Sequence, residues 1–306
     1  MFKPEGVYVA MMTIFDENGE LNEKQIRRFV DFQIEKGVDG IFPNSSLGEF
    51  VRMNDAQRMR LNEIVVEQAD DRVPVVPGVA AASTDQCISF AKQAADVGCK
   101  AVVICPPYYI PISQPEIQKH FEIIADKIEL PVVLYNIPGF TQAISYDTVN
   151  NLASHPNIVG MKDSSGSMVD LIHFKDCAGD NDFNMLTGRE DMFLPALFMG
   201  AKGCMTGASG YIPEIMAEIY RLFKKGDYEE AKKVQTSFLK IVRLAGQLPF
   251  PAGHQLVLAL RGFEIANKQP LADQSLSKYG EIKKQLKAEL EGLTSLGLES
   301  FEVVYK

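Results

Sequence analysis

Two hydrophobic periods alternate along the chain. Short apolar runs closed by turn residues recur about every 30 residues, the length of one strand plus one helix, and amphipathic stretches with helical spacing lie between them. The runs predict strands over 7–12, 40–43, 73–79, 101–105, 131–135, 158–162, 184–187 and 203–206. The amphipathic stretches predict helices over 22–36, 55–69, 84–97, 114–128, 145–153, 168–177, 191–199 and 213–223. Residues suited to helix starts agree: Ser83 or Thr84, Ser113 ahead of Pro115 and Glu116, and Pro213 with Glu214. Strict strand–helix alternation through eight rounds predicts an α/β fold, a (β/α)8 barrel of the TIM type rather than an open sheet. Past Gly226 the strand pattern stops, and 227–244, 255–267 and 277–290 are helical in spacing around a turn at 249–253. The expected organisation is a barrel carrying the active site over 1–226 and a C-terminal helical subdomain over 227–306. The tail from Thr294 is expected to dock on a neighbour or hang free.

Composition narrows the function. A chain of 306 residues, 46% hydrophobic, has the material for a barrel of about 250 residues and its extension. A net charge of -9 argues against a nucleic-acid or anionic-membrane partner. Five cysteines without a CxxC spacing point to a reducing, cytoplasmic setting with neither a disulfide framework nor a zinc site. No apolar stretch is long enough to span a bilayer, and no cleavage-site pattern follows the first residues.

In a barrel, chemistry gathers where strands end in loops. The run Ile158-Val159-Gly160-Met161 ends in Lys162 and is closed by Ser164, Ser165 and Gly166. Burial would lower the pKa of that amine and leave part of it free to attack a carbonyl. A lysine that snorkels to water from a strand end is the plainer alternative. Ser45, Ser46 and the Leu47–Gly48 amides suit a carboxylate, or an ordinary helix-capping turn. Tyr135 supplies a phenol for proton relay, or a buried hydrogen-bonded tyrosine. Tyr108 and Tyr109 read equally well as a contact patch. Gly188, Arg189, Glu190 and Asp191 close the seventh strand.

Other chemistries are set aside. The histidines at 120, 155, 173 and 254 are scattered without ligand spacing, so no metal is expected, and His120 and His173 are expected at the surface of their helices. No GxGxxG or GxxxxGK[ST] is present. A phosphate pocket at Gly203–Gly210, as in a sugar-phosphate isomerase, is the main competitor, but 203–220 contain no Lys or Arg.

Leu47-Gly48-Glu49, Tyr135-Asn136-Ile137-Pro138 and Gly160-Met161-Lys162-Asp163 together resemble the dihydrodipicolinate synthase/N-acetylneuraminate lyase family. The resemblance runs over essentially the whole barrel and into the extension. It implies that Lys162 forms a Schiff base with pyruvate or another 2-oxo acid and that Tyr135 shuttles protons. Ser46 and Tyr109 would complete the relay, with Tyr109 crossing from an adjacent subunit of a homotetramer built as a dimer of dimers. Ser45, Ser46 and Leu47 would hold the oxo-acid carboxylate, and a main-chain carbonyl near Met205 would face the lysine nitrogen. No cofactor is implied. Where lysine-biosynthesis synthases carry an arginine, two residues after the proline of Tyr-Asn-x-Pro, this chain has Phe140. The first expectation is therefore a pyruvate-releasing aldolase of a 2-keto-3-deoxy or sialic-acid-like sugar acid, also suggested by Lys162-Asp163-Ser164-Ser165-Gly166, with Glu190, Asp191 and Ser164 holding hydroxyls of a polyol tail or simply capping a helix and closing a loop. The alternative is a synthase condensing pyruvate with aspartate semialdehyde, and the out-of-class alternative a barrel that binds a sugar acid without turnover.

Overall fold

A computed structural model of the chain describes residues 2–179, 181–266 and 278–297. Seven strands form one parallel sheet: β1 (Gly6–Ala10), β2 (Gly40–Phe42), β3 (Val102–Ile104), β4 (Val132–Asn136), β5 (Ile158–Asp163), β6 (Asn184–Thr187) and β7 (Gly203–Thr206). Their order is β2-β1-β7-β6-β5-β4-β3, which leaves β2 and β3 as the two free edges. Strands β1 to β5 and β7 are buried along their whole length, as parallel strands covered by helices must be.

The segment expected as a strand over 73–79 fills the gap between those edges but is not a continuous strand. Pro74 and Pro77 have no N–H to give to a ladder. Only isolated bridges remain, Ile41 to Val75 on one side and Gly78 to Val103 on the other. Backbone bonds still tie it in: Val76 N–H donates to Ile41 O (2.8 Å) and Val103 N–H to Pro77 O (2.9 Å). The barrel is nearly closed, with a proline-broken segment in the eighth place.

Helices surround the sheet. Those at Glu23–Glu35, Asp55–Ala69, Thr84–Asp96, Gln114–Lys127, Tyr146–Ala153, Met168–Ala178 and Pro213–Lys225 match the expected spans to within three residues. Ser83 accepts from the Gln86 N–H, and Ser113 with Glu116 forms a capping box. The helix expected from 191 begins instead as a 3-10 turn, Glu190–Met192, followed by Phe193–Phe198. His120 is a correction: it is 4% exposed and buried against Thr84, whose Oγ1 lies 2.9 Å from Nδ1.

The expected helix over 227–244 is two helices, Tyr228–Ser237 and Leu239–Ala245. The next begins at Ala252, inside the expected turn, and ends at Leu260; the last described one is Tyr279–Leu293. The parts of the sequence reading that fall on 267–277 and on the tail from 298 lie outside the described residues. The helix Ala252–Leu260 lies against loops at the C-terminal ends of the strands. Its Gln255 donates to Glu49 Oε2 (3.0 Å) beyond β2. Just past it, Arg261 pairs with Glu214 at 2.6 Å, both side chains 1% exposed. Among the described residues, no helix is long and apolar enough to cross a membrane.

Candidate active site

Residues Tyr135 and Lys162 face each other in register across β4 and β5, one step before Asn136 and Asp163. That second pair is what holds the strand ends. Asn136 Nδ2 donates to Asp163 Oδ1 (2.7 Å), while its side-chain Oδ1 accepts from Ile144 N–H (3.1 Å). Asp163 Oδ2 accepts from the Ser165 hydroxyl (2.7 Å), which fixes the loop after the lysine. Fully bonded buried polar groups of this kind hold one geometry.

The lysine amine is dry. Lys162 is 3% exposed, and its Nζ lies 4.1 Å from the Tyr135 ring centre and 4.9 Å from that of Phe42. Burial lowers its pKa from 10.5 to about 7, against the pull of Glu190, Cys204 and Cys105. A large share of the amine is therefore unprotonated near neutrality, as a nucleophilic lysine requires. The Tyr135 phenol is pushed well above 10 by burial, and the hydroxyls of Ser46 and Ser164 pull it part of the way back. It stays protonated and can give or take a proton only through those neighbours.

Glycines make room for the lysine. A β-carbon on Gly188 would collide with Ser164 Oγ and stand 2.8 Å from Lys162 Cε. One on Gly207 would stand 2.8 Å from Leu47 Cδ2, 3.4 Å from Glu190 Oε1 and 3.6 Å from His254 Nδ1. Those three residues line the same cleft as the lysine.

The structure brings Ser46, Leu47, Tyr135, Lys162, Ser164, Gly188, Glu190 and Met205 to the wall of a single cleft of about 250 Å³. Two expected residues stand apart. Ser45 is buried behind it, donating to Met11 O (2.9 Å) and accepting from Gly48 N–H (3.0 Å). Its hydroxyl shapes the turn and does not line the cleft, unlike that of Ser46. Tyr109 is 96% exposed, with φ +80°, and lines an adjoining cavity of about 460 Å³ that shares Ser46, Phe140 and Phe250 with the cleft. Glu190 has a structural duty, accepting from Ala208 N–H at 3.0 Å, where the short helix Ala208–Tyr211 begins.

Sequence reasoning missed two charged or titratable groups in the cleft wall, Arg189 and His254. Arg189 stood in a quoted loop without a role. His254 comes from the C-terminal helices, which a search of strand ends does not reach. Buried in part, it has a pKa lowered from 6.5, and its Nδ1 has no hydrogen-bond partner.

Comparison with known proteins gives one consistent answer. Residues 3–289 match the Dihydrodipicolinate synthetase family. A 4-hydroxy-tetrahydrodipicolinate synthase of Bartonella bacilliformis is 33% identical over 261 residues, 85% of this chain and 88% of its own. The structure of the 4-hydroxy-tetrahydrodipicolinate synthase from Methylacidiphilum fumariolicum SolV superposes with a TM-score of 0.88 at 29% identity, covering 96% of this chain and 99% of that one. YagE, an E. coli K12 prophage protein solved in complex with pyruvate, does so with a TM-score of 0.87 at 28% identity, again over 96% and 99%.

Proposed function

The chain belongs to the dihydrodipicolinate synthetase family and is a Schiff-base-forming aldolase or lyase, and from that premise we propose that it condenses pyruvate with an aldehyde through an iminium at Lys162. One observation carries the residue assignment: a buried amine of pKa about 7 at a strand end, 4.1 Å from a phenol ring, in a cleft open to small molecules.

In this reading the free amine of Lys162 attacks the pyruvate C2 carbonyl and water leaves, giving an iminium that draws electrons from C3. A C3 proton is then lost, and the enamine carbon attacks the aldehyde to form the new C–C bond. Tyr135 is the proton carrier, passing protons through Ser46. The pyruvate carboxylate rests on the Ser46 hydroxyl and the Leu47 loop, which orients the ketone before reaction. Tyr109, almost fully exposed beside exposed Ile110, completes the relay in a neighbouring subunit. The working unit is then at least a dimer and, by family likeness, a homotetramer. Free cysteines at all five positions fit a cytoplasmic enzyme.

The names of the relatives favour the synthase reaction, with aspartate semialdehyde as the aldehyde, over the sugar-acid cleavage that the sequence put first. A specific feature keeps that cleavage as the second reading. The cleft rim carries Phe140 packed against Phe250, ring centres 5.4 Å apart and the rings tilted by 51°, and a phenyl group cannot pair with a carboxylate. Reductive trapping with pyruvate tests the common chemistry. Mass gain confined to Lys162 supports it, and no gain, or gain elsewhere, leaves only a binding barrel. Product analysis with aspartate semialdehyde and with 2-keto-3-deoxy acids then separates the two readings.

A further inference from the structure

Pyruvate condensation occupies the amine of Lys162 and, among the described residues, leaves one other strong cation on the cleft wall, Arg189. Its backbone is fixed by Thr187, whose Oγ1 accepts from the Arg189 N–H (3.2 Å). Its side chain runs past Gly166, with Nε 3.9 Å from where a β-carbon there would sit. Among the described residues the guanidinium has no hydrogen-bond or ion-pair partner. Arg52, lining the adjoining cavity, is different: it is engaged by Glu49.

Among the described residues, the rest of the wall offers no second positive charge. Burial holds the pKa of His254 down against the pull of Glu190, and the nearby Arg189 guanidinium adds to that lowering, so the ring offers a hydrogen bond rather than a charge. Phe140 and Phe250 make the rim apolar. Glu190, next in the chain, carries the opposite charge, and its Oε1 is already bonded to Ala208 N–H. Arg189 is exposed on the cleft wall, and its solvent-facing guanidinium is a planar five-donor fork, matched by the two oxygens of a carboxylate.

We propose that Arg189 receives the far-end carboxylate of the second substrate, so that the enzyme selects aldehydes carrying an acid group over neutral ones of the same length. The inference rests on the Schiff-base reading above and deepens it. Substrate enters with its aldehyde towards the Lys162 adduct and its chain along Phe140 and Phe250. The acid end then comes to the loop after β6. An arginine here performs the selection that the phenyl group at 140 cannot.

The test uses the full chain with pyruvate reduced onto Lys162, and compares calorimetric binding of 4-oxobutanoate with that of butanal. The acid is expected to bind at least tenfold tighter. Arg189→Gln removes that preference and Arg189→Lys keeps part of it, with circular dichroism and the thermal midpoint reporting the fold. Equal binding of the two aldehydes by the wild-type adduct overturns the proposal, as does a preference that survives in Arg189→Gln. Absence of pyruvate trapping would remove the Schiff-base reading instead; the same two-aldehyde comparison on the untreated chain then still decides the role of Arg189.

Discussion

The amine of Lys162 lies 4.1 Å from the centre of the Tyr135 ring, each residue the register partner of the other on adjacent strands. Facing an aromatic surface instead of water, the ammonium loses more hydration than a contact of this kind returns. The pKa of about 7 follows from that loss. Reductive trapping with pyruvate and cyanoborohydride should therefore speed up as pH rises through about 7 and level off above it. A midpoint near 10 would show a hydrated lysine and end the assignment.

The same burial makes the lysine a cost to folding. Between about 7 and 10.5 the unfolded chain holds a proton at Lys162 that the folded chain lacks, so its effect on stability improves as pH rises through that window. Below about 7 both states are protonated and the full penalty applies. Lys162→Met is expected to abolish trapping yet raise stability at pH 6 by up to about 5 kcal/mol, with the gain shrinking towards pH 10. Urea unfolding of both proteins at the two pH values measures it. A destabilised variant at pH 6 would contradict the burial argument.

How much of this was legible beforehand depended on whether the signal was local. Strand ends are local, and so the chain alone singled out Lys162, Tyr135 and Ser46, which line one cleft. The strand over 73–79 was over-read because its valines carry the apolar pattern while Pro74 and Pro77 remove the donors that a ladder needs. Ser45 was misplaced for another reason: a serine hydroxyl beside a cleft and one turned back to Met11 O look the same in sequence. His254 reaches the cleft only because the C-terminal helices fold over the strand ends, a long-range relation with no periodic trace. His120 looked like a surface residue until Thr84 gave its ring a partner.

Gly188 tests how closely the lysine is fitted. A methyl group at this position would stand 2.8 Å from Lys162 Cε and overlap Ser164 Oγ. Overpacking of this kind costs about 1–3 kcal/mol and displaces its neighbours. Gly188→Ala is expected to keep the fold but slow pyruvate trapping by more than tenfold, read by mass spectrometry. An unchanged rate would mean that the lysine has more freedom than the packing allows.

Phe140→Arg puts a guanidinium at the rim where the chain now has a phenyl ring 56% exposed. A charge-assisted hydrogen bond contributes about 1.5–3 kcal/mol, roughly ten- to a hundredfold in kcat/KM. Aspartate semialdehyde should be used better by the variant, while the pyruvate KM stays near its wild-type value. No gain with that aldehyde would show that residue 140 does not set the choice.

The pairing of Arg261 with Glu214 tests what keeps the C-terminal helices over the cleft. Both side chains are 1% exposed, the shorter contact is 2.6 Å, and Arg261 also donates to Tyr211 O at 2.9 Å. Removing one partner of such a pair strands the other charge away from water, at a cost of about 3–5 kcal/mol. Glu214→Leu should therefore lower stability steeply, and Arg261→Met likewise, each measured by chemical denaturation. The double variant strands no charge and should recover most of the loss, because well-packed apolar residues can match a buried pair. Because His254 lines the cleft from the helix that ends at Leu260, the single variants should also weaken aldehyde binding more than pyruvate trapping. Additive losses in the double variant would show that the two charges do not act as a unit.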